Sequence, residues 1–259
     1  LDGLVAVVRT PAGAQSPSPE VWKRIEWLTE RDRKRAVRRW IPAKALQAVA
    51  AVVIVLGLSV LLWNGGAFAP TPEEAEILLG YVLGRNRAWF YANPEAEVSE
   101  ADVSHYRALL HRRRDGEPVA YLTGVREFWS MVLTVTPDVL IPRPETELLV
   151  ETALELLPAD TACRVADLGT GSGAVALAIA GERPACEVHA TELSEAALAV
   201  ARANAQRLVP GRIHFHHGSW CAPLRGAFGL IVSNPPYVER GDPHLQRGDC
   251  RFEPRAALT

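Results

Sequence analysis

The sequence has little of what marks several protein classes. Its only methionine is Met131, and its four cysteines contain no Cys-x-x-Cys pair. Such spacing signals neither a zinc site nor a redox pair, so we interpret the cysteines as reduced thiols. Basic and acidic residues nearly balance, 28 against 30, which argues against a protein that holds nucleic acid by charge alone. A hydrophobic content of 48% over 259 residues excludes disordered, collagenous and disulfide-stapled classes, and the length suits one large domain or two smaller ones.

The seven histidines include no His-x-x-x-His pair. His214, His216 and His217 form one short run, and alternation along a strand turns neighbouring residues to opposite faces. We therefore interpret these histidines as structural and predict no metal site.

The first 66 residues differ in character from the rest. Pro, Ser, Gly and Ala dominate residues 1–19, which is typical of a flexible lead-in. Residues 20–44 carry nine basic and four acidic side chains, and residues 45–66 are uncharged. A basic flank before an apolar segment resembles a membrane span, whereas the short, Ala-rich apolar core is equally consistent with a buried helix. Residues 1–66 are thus an N-terminal extension with a candidate span at 45–66, or a foreign or misjoined piece.

Residues 67–117 predict a small helical domain. Pro72, followed by two glutamates, is a good helix start, and a second helix is predicted from Ser99 to about Arg114. We interpret the basic cluster Arg112–Arg114 as a solvated helix end facing the negative end of the helix dipole. The extended pattern over residues 118–140 predicts a β-hairpin linker.

Strands and helices alternate through residues 141–259. Ile141–Pro144 is expected to be extended, because each proline disfavours a helical residue before it, and a helix follows from about Glu145 to Leu157. Alternation predicts a parallel sheet with right-handed crossovers. The remaining predicted elements are strand Arg164–Asp167, helix Ala174–Ala180, strand Val188–Glu192, helix Ser194–Leu208, strand Ile213–His217 and strand Leu230–Ser233.

Two features follow the first two of these strands. The motif Asp167-Leu168-Gly169-Thr170-Gly171-Ser172-Gly173 links a strand to a helix, and its glycines allow a tight turn and the close approach of a ligand. Its spacing is neither that of a dinucleotide fold nor that of a P-loop, and a purely structural turn is an alternative. Glu192 ends the next strand, where an acid can accept hydrogen bonds from both hydroxyls of a ribose.

The motif Ser233-Asn234-Pro235-Pro236-Tyr237 follows the fourth predicted strand. Its two prolines stiffen the backbone and remove two donors, which leaves the Asn234 side-chain carbonyl and the Pro235 main-chain carbonyl as acceptors. A planar NH2 group can donate one hydrogen to each, and Tyr237 can stack on its flat face. A rigid turn with a surface tyrosine is the alternative.

Together these features resemble class I S-adenosylmethionine-dependent methyltransferases that methylate planar amines and amides. Further motifs narrow the resemblance to the peptide chain release factor glutamine methyltransferases, over roughly residues 72–259. The motifs that carry it are Gly116–Gly124 (Gly-Glu-Pro-Val-Ala-Tyr-Leu-Thr-Gly), Glu127-Phe128-Trp129, Ile141-Pro142-Arg143-Pro144-Glu145-Thr146-Glu147, Asp242-Pro243-His244-Leu245, Gly248-Asp249 and Arg251-Phe252-Glu253-Pro254.

The resemblance implies a Rossmann-like α/β methyltransferase sheet in residues 141–259, preceded by a small helical domain that recognises the release factor. The family's sheet has three further strands, so we expect this methyltransferase domain to be incomplete and the chain to be unstable or inactive alone. The implied reaction is methylation of the side-chain amide of the Gln in the factor's Gly-Gly-Gln loop. A cytoplasmic monomer without direct nucleic-acid binding is expected, with membrane association only if 45–66 spans.

The resemblance also implies roles for single residues. Ser219 stands where many members have an acid, which departs from the family pattern at one expected adenine contact. The implied cofactor-binding residues are Gly169, Thr170, Gly171, Ser172, Gly173, Glu192, Trp220 and Asn234, the implied substrate-binding and catalytic residues are Asn234, Pro235, Pro236 and Tyr237, and the site wall is Arg143, Pro144 and Thr146.

Two alternatives stay open. An amine methyltransferase acting on adenine in DNA or on ribosomal RNA shares the Asn-Pro-Pro-Tyr motif, but the matched region offers only Arg112–Arg114 as a basic cluster. A membrane-anchored or non-catalytic interaction protein built on residues 20–66 is the other.

Overall fold

A computed structural model of the chain describes residues 6–8, 70–94, 96–160, 162–246 and 248–259. The chain divides into two compact units, residues 12–108 and residues 1–11 with 109–259. The candidate span at 45–66 and the basic segment before it lie outside the described residues. Among the residues that are described, no helix is both long enough and apolar enough to cross a membrane.

The unit of residues 12–108 contains helices α1 (Pro72–Leu83), α2 (Arg87–Ala92) and the first part of α3 (Glu100–Arg114). The predicted start of α1 is confirmed: Thr71 and Glu74 form a reciprocal capping box, in which the Glu74 amide donates to the Thr71 hydroxyl over 3.2 Å. The predicted extent of α3 is confirmed as well. Helix α2, which starts after the capping residue Asn86, was not predicted.

Apolar side chains of the three helices form the core of this unit. Leu78 of α1 is fully buried, Phe90 of α2 and Tyr106 of α3 are nearly so, and the Tyr106 hydroxyl donates to the Ala75 carbonyl over 3.4 Å. Ile77, which lies away from the face of α1 that buries Ala75 and Leu79, is 54% exposed. Burial therefore follows one face of α1, as expected for an amphipathic helix.

The predicted hairpin linker is partly wrong. Strands β2 (Val125–Phe128) and β3 (Met131–Thr134) pair antiparallel as expected, but the residues before them form helix α4 (Val119–Thr123). Pro118 stands at the start of this helix, and Gly124 ends it in the left-handed conformation. A five-residue helix is too short to show a periodic pattern, so the sequence predicts extended chain there.

A two-residue turn with unusual dihedral angles closes the hairpin. Trp129 and Ser130 both have positive φ, 51° and 58°, which matches the twist that tight antiparallel turns need. Two carboxylates compensate for the strain: the Trp129 amide donates to Glu147 Oε1 over 2.9 Å, and its indole donates to Glu182 Oε1 over 3.0 Å. The turn is therefore held by side chains of two helices.

The central sheet has the strand order β1-β7-β4-β5-β6. Its members are β1 (Ala6–Val8), β4 (Arg164–Leu168), β5 (Glu187–Glu192), β6 (Ile213–His217) and β7 (Leu230–Ser233). The last four are parallel, at bounds within one residue of the predicted ones, whereas β1 runs antiparallel along β7. Residues 6–8 were expected to be part of a flexible lead-in, and that expectation is wrong. The expectation rested on the Pro and Ser content of residues 1–19, whereas the apolar run Val5–Val8 is typical of a strand.

Three helices pack with this sheet: α5 (Thr146–Leu156), α6 (Ala174–Glu182) and α7 (Glu195–Leu208). Every side chain from Ala174 to Ala180 is buried, which explains why α6 is apolar all round rather than on one stripe. Leu149, Val150 and Ala153 of α5 join the same core. The predicted α/β class is confirmed.

A buried asparagine connects α7 to the hairpin. Asn204, 1% exposed, accepts from the Thr134 amide over 2.8 Å and returns a hydrogen bond to the Thr134 carbonyl over 2.9 Å. Its amide nitrogen also donates to the Ser172 carbonyl over 3.0 Å. Nearby, Arg207 donates to the Val132 carbonyl. The side-chain amide thus acts as a piece of strand backbone between the hairpin and the glycine-rich turn.

Candidate functional site

Two loops meet at the carboxyl ends of the adjacent strands β4 and β7. Leu168 and Ser233, the last residues of these strands, are partners in the parallel ladder. The Ser233 hydroxyl donates to the Leu168 carbonyl over 2.8 Å, and both residues are buried. The glycine-rich turn that begins at Gly169 and the Asn-Pro-Pro-Tyr motif that begins at Asn234 therefore start side by side.

The glycine-rich turn leaves room for a ligand. Gly169 and Gly171 have φ of 71° and 56°, and a Cβ built on either would meet nothing within 4 Å. The amides of Gly169 and Thr170 both donate to the Thr191 carbonyl, over 2.9 and 3.0 Å, which fixes the turn against β5. Open space beside a rigid backbone at the start of a helix is the arrangement that polar ligands use.

Gly173 has a different, internal requirement for glycine. Its φ is 88°, and a Cβ there would lie 3.2 Å from Leu177 Cδ1 and 3.4 Å from Ala201 Cβ. Gly173 therefore lets helix α6 start against α7, while the two earlier glycines shape the open side of the turn.

Glu192 ends β5 as predicted, and its carboxylate is fixed by three backbone amides. Glu192 Oε2 accepts from Gly171 over 2.9 Å, and Oε1 accepts from Leu193 and Ser194 over 2.8 and 3.0 Å. Hydrogen bonds from several backbone amides to one carboxylate fix its orientation. The sequence did not indicate the bond to Gly171, which joins the acid to the turn. The ribose contact itself stays a prediction.

Two large apolar side chains stand exposed next to Glu192. Leu193, which directly follows β5, is 65% exposed, and Trp220, three residues after β6, is 54% exposed. Gly218 donates to the Glu192 carbonyl over 2.9 Å, which brings the end of β6 and the following Trp220 toward β5. Trp220 itself has φ of 48°. The contact of Trp220 with the adenine stays a prediction.

Asp167, the first residue of the glycine-rich motif, is a buried acid for which the sequence predicts no role. It is 2% exposed, and its Oδ2 accepts from the Thr170 hydroxyl over 2.6 Å and from the Ala176 amide over 3.2 Å. Burial raises the pKa of Asp167 from 3.8 to about 6, the two hydrogen bonds work against this rise, and the Glu192 charge adds to it. An acid two residues before the first glycine is the signal in the sequence. Asp167 therefore fixes the glycine-rich turn through Thr170 and the start of α6 through Ala176.

The structure brings Asn234 to Thr146, a residue of the expected site wall. Asn234 Nδ2 donates to Thr146 Oγ1 over 3.2 Å, and Thr146 is 7% exposed at the start of α5. This bond uses the nitrogen edge of the Asn234 amide and leaves its oxygen edge for another partner. Tyr237 is 55% exposed, so its ring is accessible beside the motif.

A buried carboxylate holds the segment before Thr146. The Glu253 side chain is fully buried, and it accepts from the Ile141 amide over 3.2 Å and from the Arg143 guanidinium over 2.5 Å. Burial raises the pKa of Glu253, and the Arg143 charge opposes the rise. Arg143 was expected in the site wall, and the structure places it in this ion pair.

The other candidate clusters have structural roles. His214 and His216 of β6 lie on one face against His189 of β5, with ring centroids 5.0 and 5.2 Å from it, and His217 takes the opposite face, as strand alternation predicts. Cys163 and Cys186 are free thiols whose sulfurs lie 3.4 Å apart. Within the described part of the chain, no three His, Cys, Asp or Glu side chains converge as metal ligands.

The fold and this site define an α/β methyltransferase. Residues 144–248 match the family model "Methyltransferase small domain", and residues 68–124 match "PrmC N-terminal domain". The Release factor glutamine methyltransferase of Escherichia coli (strain K12) is 53% identical over 188 residues, 72% of this chain and 68% of that protein. That of Bordetella pertussis is 55% identical, over 72% of this chain and 69% of its own length. The chain belongs to the release factor glutamine methyltransferase family.

Among solved structures, the catalytic domain of hMettl16 in complex with MAT2A 3'UTR hairpin 6 is similar to this chain at 16% identity, with a TM-score of 0.42, over 54% of this chain and 55% of that one.

Proposed function

We propose that this chain transfers a methyl group from S-adenosylmethionine to the side-chain amide nitrogen of the Gln in the Gly-Gly-Gln loop of peptide chain release factors. The observation that carries the proposal is the junction of the two loops. The Ser233 to Leu168 hydrogen bond sets Asn234 beside the glycine-rich turn. A methyl donor held by the turn would therefore lie next to an amide held by the motif.

The cofactor fits the residues around the turn. The backbone from Gly169 to Gly173 would carry the polar end of S-adenosylmethionine, Glu192 would accept from its ribose, and Trp220 would lie against its adenine. When bound, the cofactor supplies a methyl group on a sulfonium, which is already a strong electrophile. The protein's task is then to place the acceptor nitrogen.

The substrate amide would be held by two acceptors. Asn234 Oδ1 and the Pro235 carbonyl each take one hydrogen of the glutamine NH2 group, and the prolines add no competing donor. An amide nitrogen is a poor nucleophile because its lone pair is delocalised into the carbonyl. Two acceptors favour a more tetrahedral nitrogen, so they act mainly in the transition state. The proton leaves after methyl transfer, and we assign no general base.

A nucleic-acid substrate is less well supported by the basic cluster Arg112–Arg114. Arg112 donates from Nε and Nη2 to the two carboxylate oxygens of Glu117, over 2.7 and 2.5 Å. Arg113 is 13% exposed and pairs with Asp249 over 3.1 Å, so the expectation of a fully solvated cluster is wrong for this residue. Charges engaged in ion pairs contribute little to phosphate binding.

The test is a methylation assay with the purified chain. Release factor and S-adenosylmethionine are incubated with it, and the peptide that contains the Gly-Gly-Gln loop is analysed by mass spectrometry. Although the family's longer sheet led us to expect an inactive chain, the glycine-rich turn, Glu192 and the Asn-Pro-Pro-Tyr motif are all present in it. We therefore expect a mass gain of one methyl group on the glutamine, and none on a release factor whose loop Gln is replaced by Glu. A duplex DNA and ribosomal RNA serve as competing acceptors. Methyl transfer to either nucleic acid, with an unmodified release factor, would contradict the proposal.

A further inference from the structure

The hydrogen bond between Asn234 and Thr146 connects distant parts of the chain. The two residues are 88 positions apart, and the bond runs from Asn234 Nδ2 to Thr146 Oγ1 over 3.2 Å. Thr146 is 7% exposed, so water does not readily replace it as a partner. Without such a partner, the half-buried Asn234 side chain would be free to change rotamer.

The orientation of the Asn234 amide matters for the reaction. A side-chain amide has a donor edge and an acceptor edge, and a substrate amide nitrogen carries donors. If the NH2 edge of Asn234 faced the substrate, donors would oppose donors, and the nitrogen would be repelled instead of held. If the NH2 edge is bound elsewhere, Oδ1 is turned toward the substrate.

We propose that Thr146 is a positioning residue, which binds the NH2 edge of Asn234 and thereby presents Asn234 Oδ1 to the amide nitrogen that is methylated. This inference rests on the proposed function. It assigns to Thr146 no contact with substrate or cofactor.

Thr146 is itself held by a backbone hydrogen bond to a residue that a buried carboxylate fixes. Its amide donates to the Arg143 carbonyl over 3.0 Å, and Arg143 is bound by the buried Glu253 carboxylate. Glu253 also accepts from the Ile141 amide, so one carboxylate holds the segment at both ends. The prolines of this segment restrict its backbone further. A hydrogen-bonded path therefore runs from Glu253 through Arg143 and Thr146 to Asn234.

The Thr146 hydroxyl can be removed without removing a helix cap. The N-cap residue of α5 is Glu145, and the side chain of that residue makes no capping hydrogen bond. Thr146→Val keeps the branched shape and loses the acceptor, whereas Thr146→Ser keeps the acceptor and loses a methyl group. The pair therefore separates hydrogen bonding from packing.

The first measurement is steady-state kinetics with the release factor. For Thr146→Val we expect kcat to fall roughly 10-fold to 100-fold, as for other small misplacements of a reacting group, with KM for the release factor within about threefold. Cofactor affinity, measured by calorimetry, should stay within about twofold of that of the unaltered chain. Thr146→Ser should restore kcat to within about threefold of the unaltered chain. Equal kcat in Thr146→Val and the unaltered chain, or equal losses in both variants, would overturn the proposal.

The second measurement does not depend on activity. The Asn234 side-chain NH2 resonances, assigned by their loss in Asn234→Ala, report directly on the bond in the cofactor-free chain. We expect faster hydrogen exchange of these protons in Thr146→Val and unchanged exchange in Thr146→Ser. If the unaltered chain does not methylate a release factor, the proposed function fails, and this spectrum still decides the inference: unchanged exchange in Thr146→Val overturns it.

Discussion

The hydroxyl of Ser233 donates to the main-chain carbonyl of Leu168 over 2.8 Å, and both residues end neighbouring parallel strands. Because these ladder partners end together, the two following loops leave the sheet at the same point, at the strand ends where open α/β sheets commonly bind ligands. Each loop brings one half of the proposed chemistry. The glycine-rich turn offers space for the methyl donor, and the Asn-Pro-Pro-Tyr motif offers acceptors for the amide.

Asn234→Ala should remove methyl transfer while leaving cofactor binding at least partly intact. The variant loses Asn234 Oδ1, the side-chain oxygen that we propose accepts from the substrate amide. We expect kcat to fall by about 100-fold or more, as when one transition-state hydrogen bond is removed. Single-turnover kinetics with a release factor and calorimetry with S-adenosylmethionine measure the two effects separately. Full activity of a purified, folded variant would contradict the assignment of Asn234 as the residue that holds the substrate amide.

Asp167→Asn should change how stability depends on pH. Burial raises the pKa of Asp167 from 3.8 to about 6, so the folded state binds a proton more tightly than the unfolded state. Stability from this group is therefore present at low pH and is lost as the pH rises from about 4 through 6, by roughly 3 kcal/mol for a shift of about two pH units.

Urea unfolding between pH 4 and 7 tests this expectation. The free energy of unfolding of Asp167→Asn, relative to the unaltered chain, should increase with pH across that window. Asp160→Asn, which alters an exposed carboxylate, is the matched control and should show no such trend. A difference between the Asp167 variant and the unaltered chain that does not vary with pH would rule out the raised pKa.

The histidine cluster should act in the opposite sense. Burial, with the charges of Arg164 and His214, lowers the pKa of His189 from its ordinary 6.5 despite the opposing Glu187 carboxylate, and burial also lowers that of His216. Each folded-state histidine resists protonation, so its contribution to stability is present at neutral pH and is lost as the pH falls below about 6.5.

His189→Gln is the variant that tests the cluster. We expect its melting temperature to fall less steeply than that of the unaltered chain between pH 7 and pH 5. His217→Gln changes a histidine on the opposite face of β6 and should keep the original slope. Parallel melting curves for the unaltered chain and His189→Gln would contradict the expectation.

Two neighbouring arginines should differ in their importance for stability. The Arg113 side chain is 13% exposed and pairs with Asp249, whereas the Arg112 side chain is 52% exposed and pairs with Glu117. Replacing Arg113 breaks its partly buried ion pair with Asp249, so we expect Arg113→Ala to lower the free energy of unfolding by about 1–3 kcal/mol. Arg112→Ala should cost less than about 1 kcal/mol, as for exposed pairs. Urea titration of the two variants compares them, and equal losses would count against the role of Arg113.

Local pattern was enough to predict the sheet and its loops. Alternation of apolar runs with helical periodicity placed β4 to β7 within a residue, because these signals are read within a few positions. Helix α4 was missed because five residues carry no period, and strand β1 was missed because the Pro and Ser content of residues 1–19 outweighed its short apolar run. The long-range contacts were missed because their partners lie far apart in the sequence. Arg113 and Asp249 are 136 positions apart, and Thr146 and Asn234 are 88. Only the packed chain brings such pairs together.

The bonds from Asn204 and Arg207 have a consequence for self-association. A two-stranded ribbon normally presents a free outer edge, on which another chain can add a strand and start aggregation. Here the outward-facing Thr134 amide and carbonyl are taken by Asn204, and the Val132 carbonyl is taken by Arg207. Side chains of helix α7 therefore occupy three outward-facing backbone groups of β3, and a strand of a second molecule cannot pair with those groups.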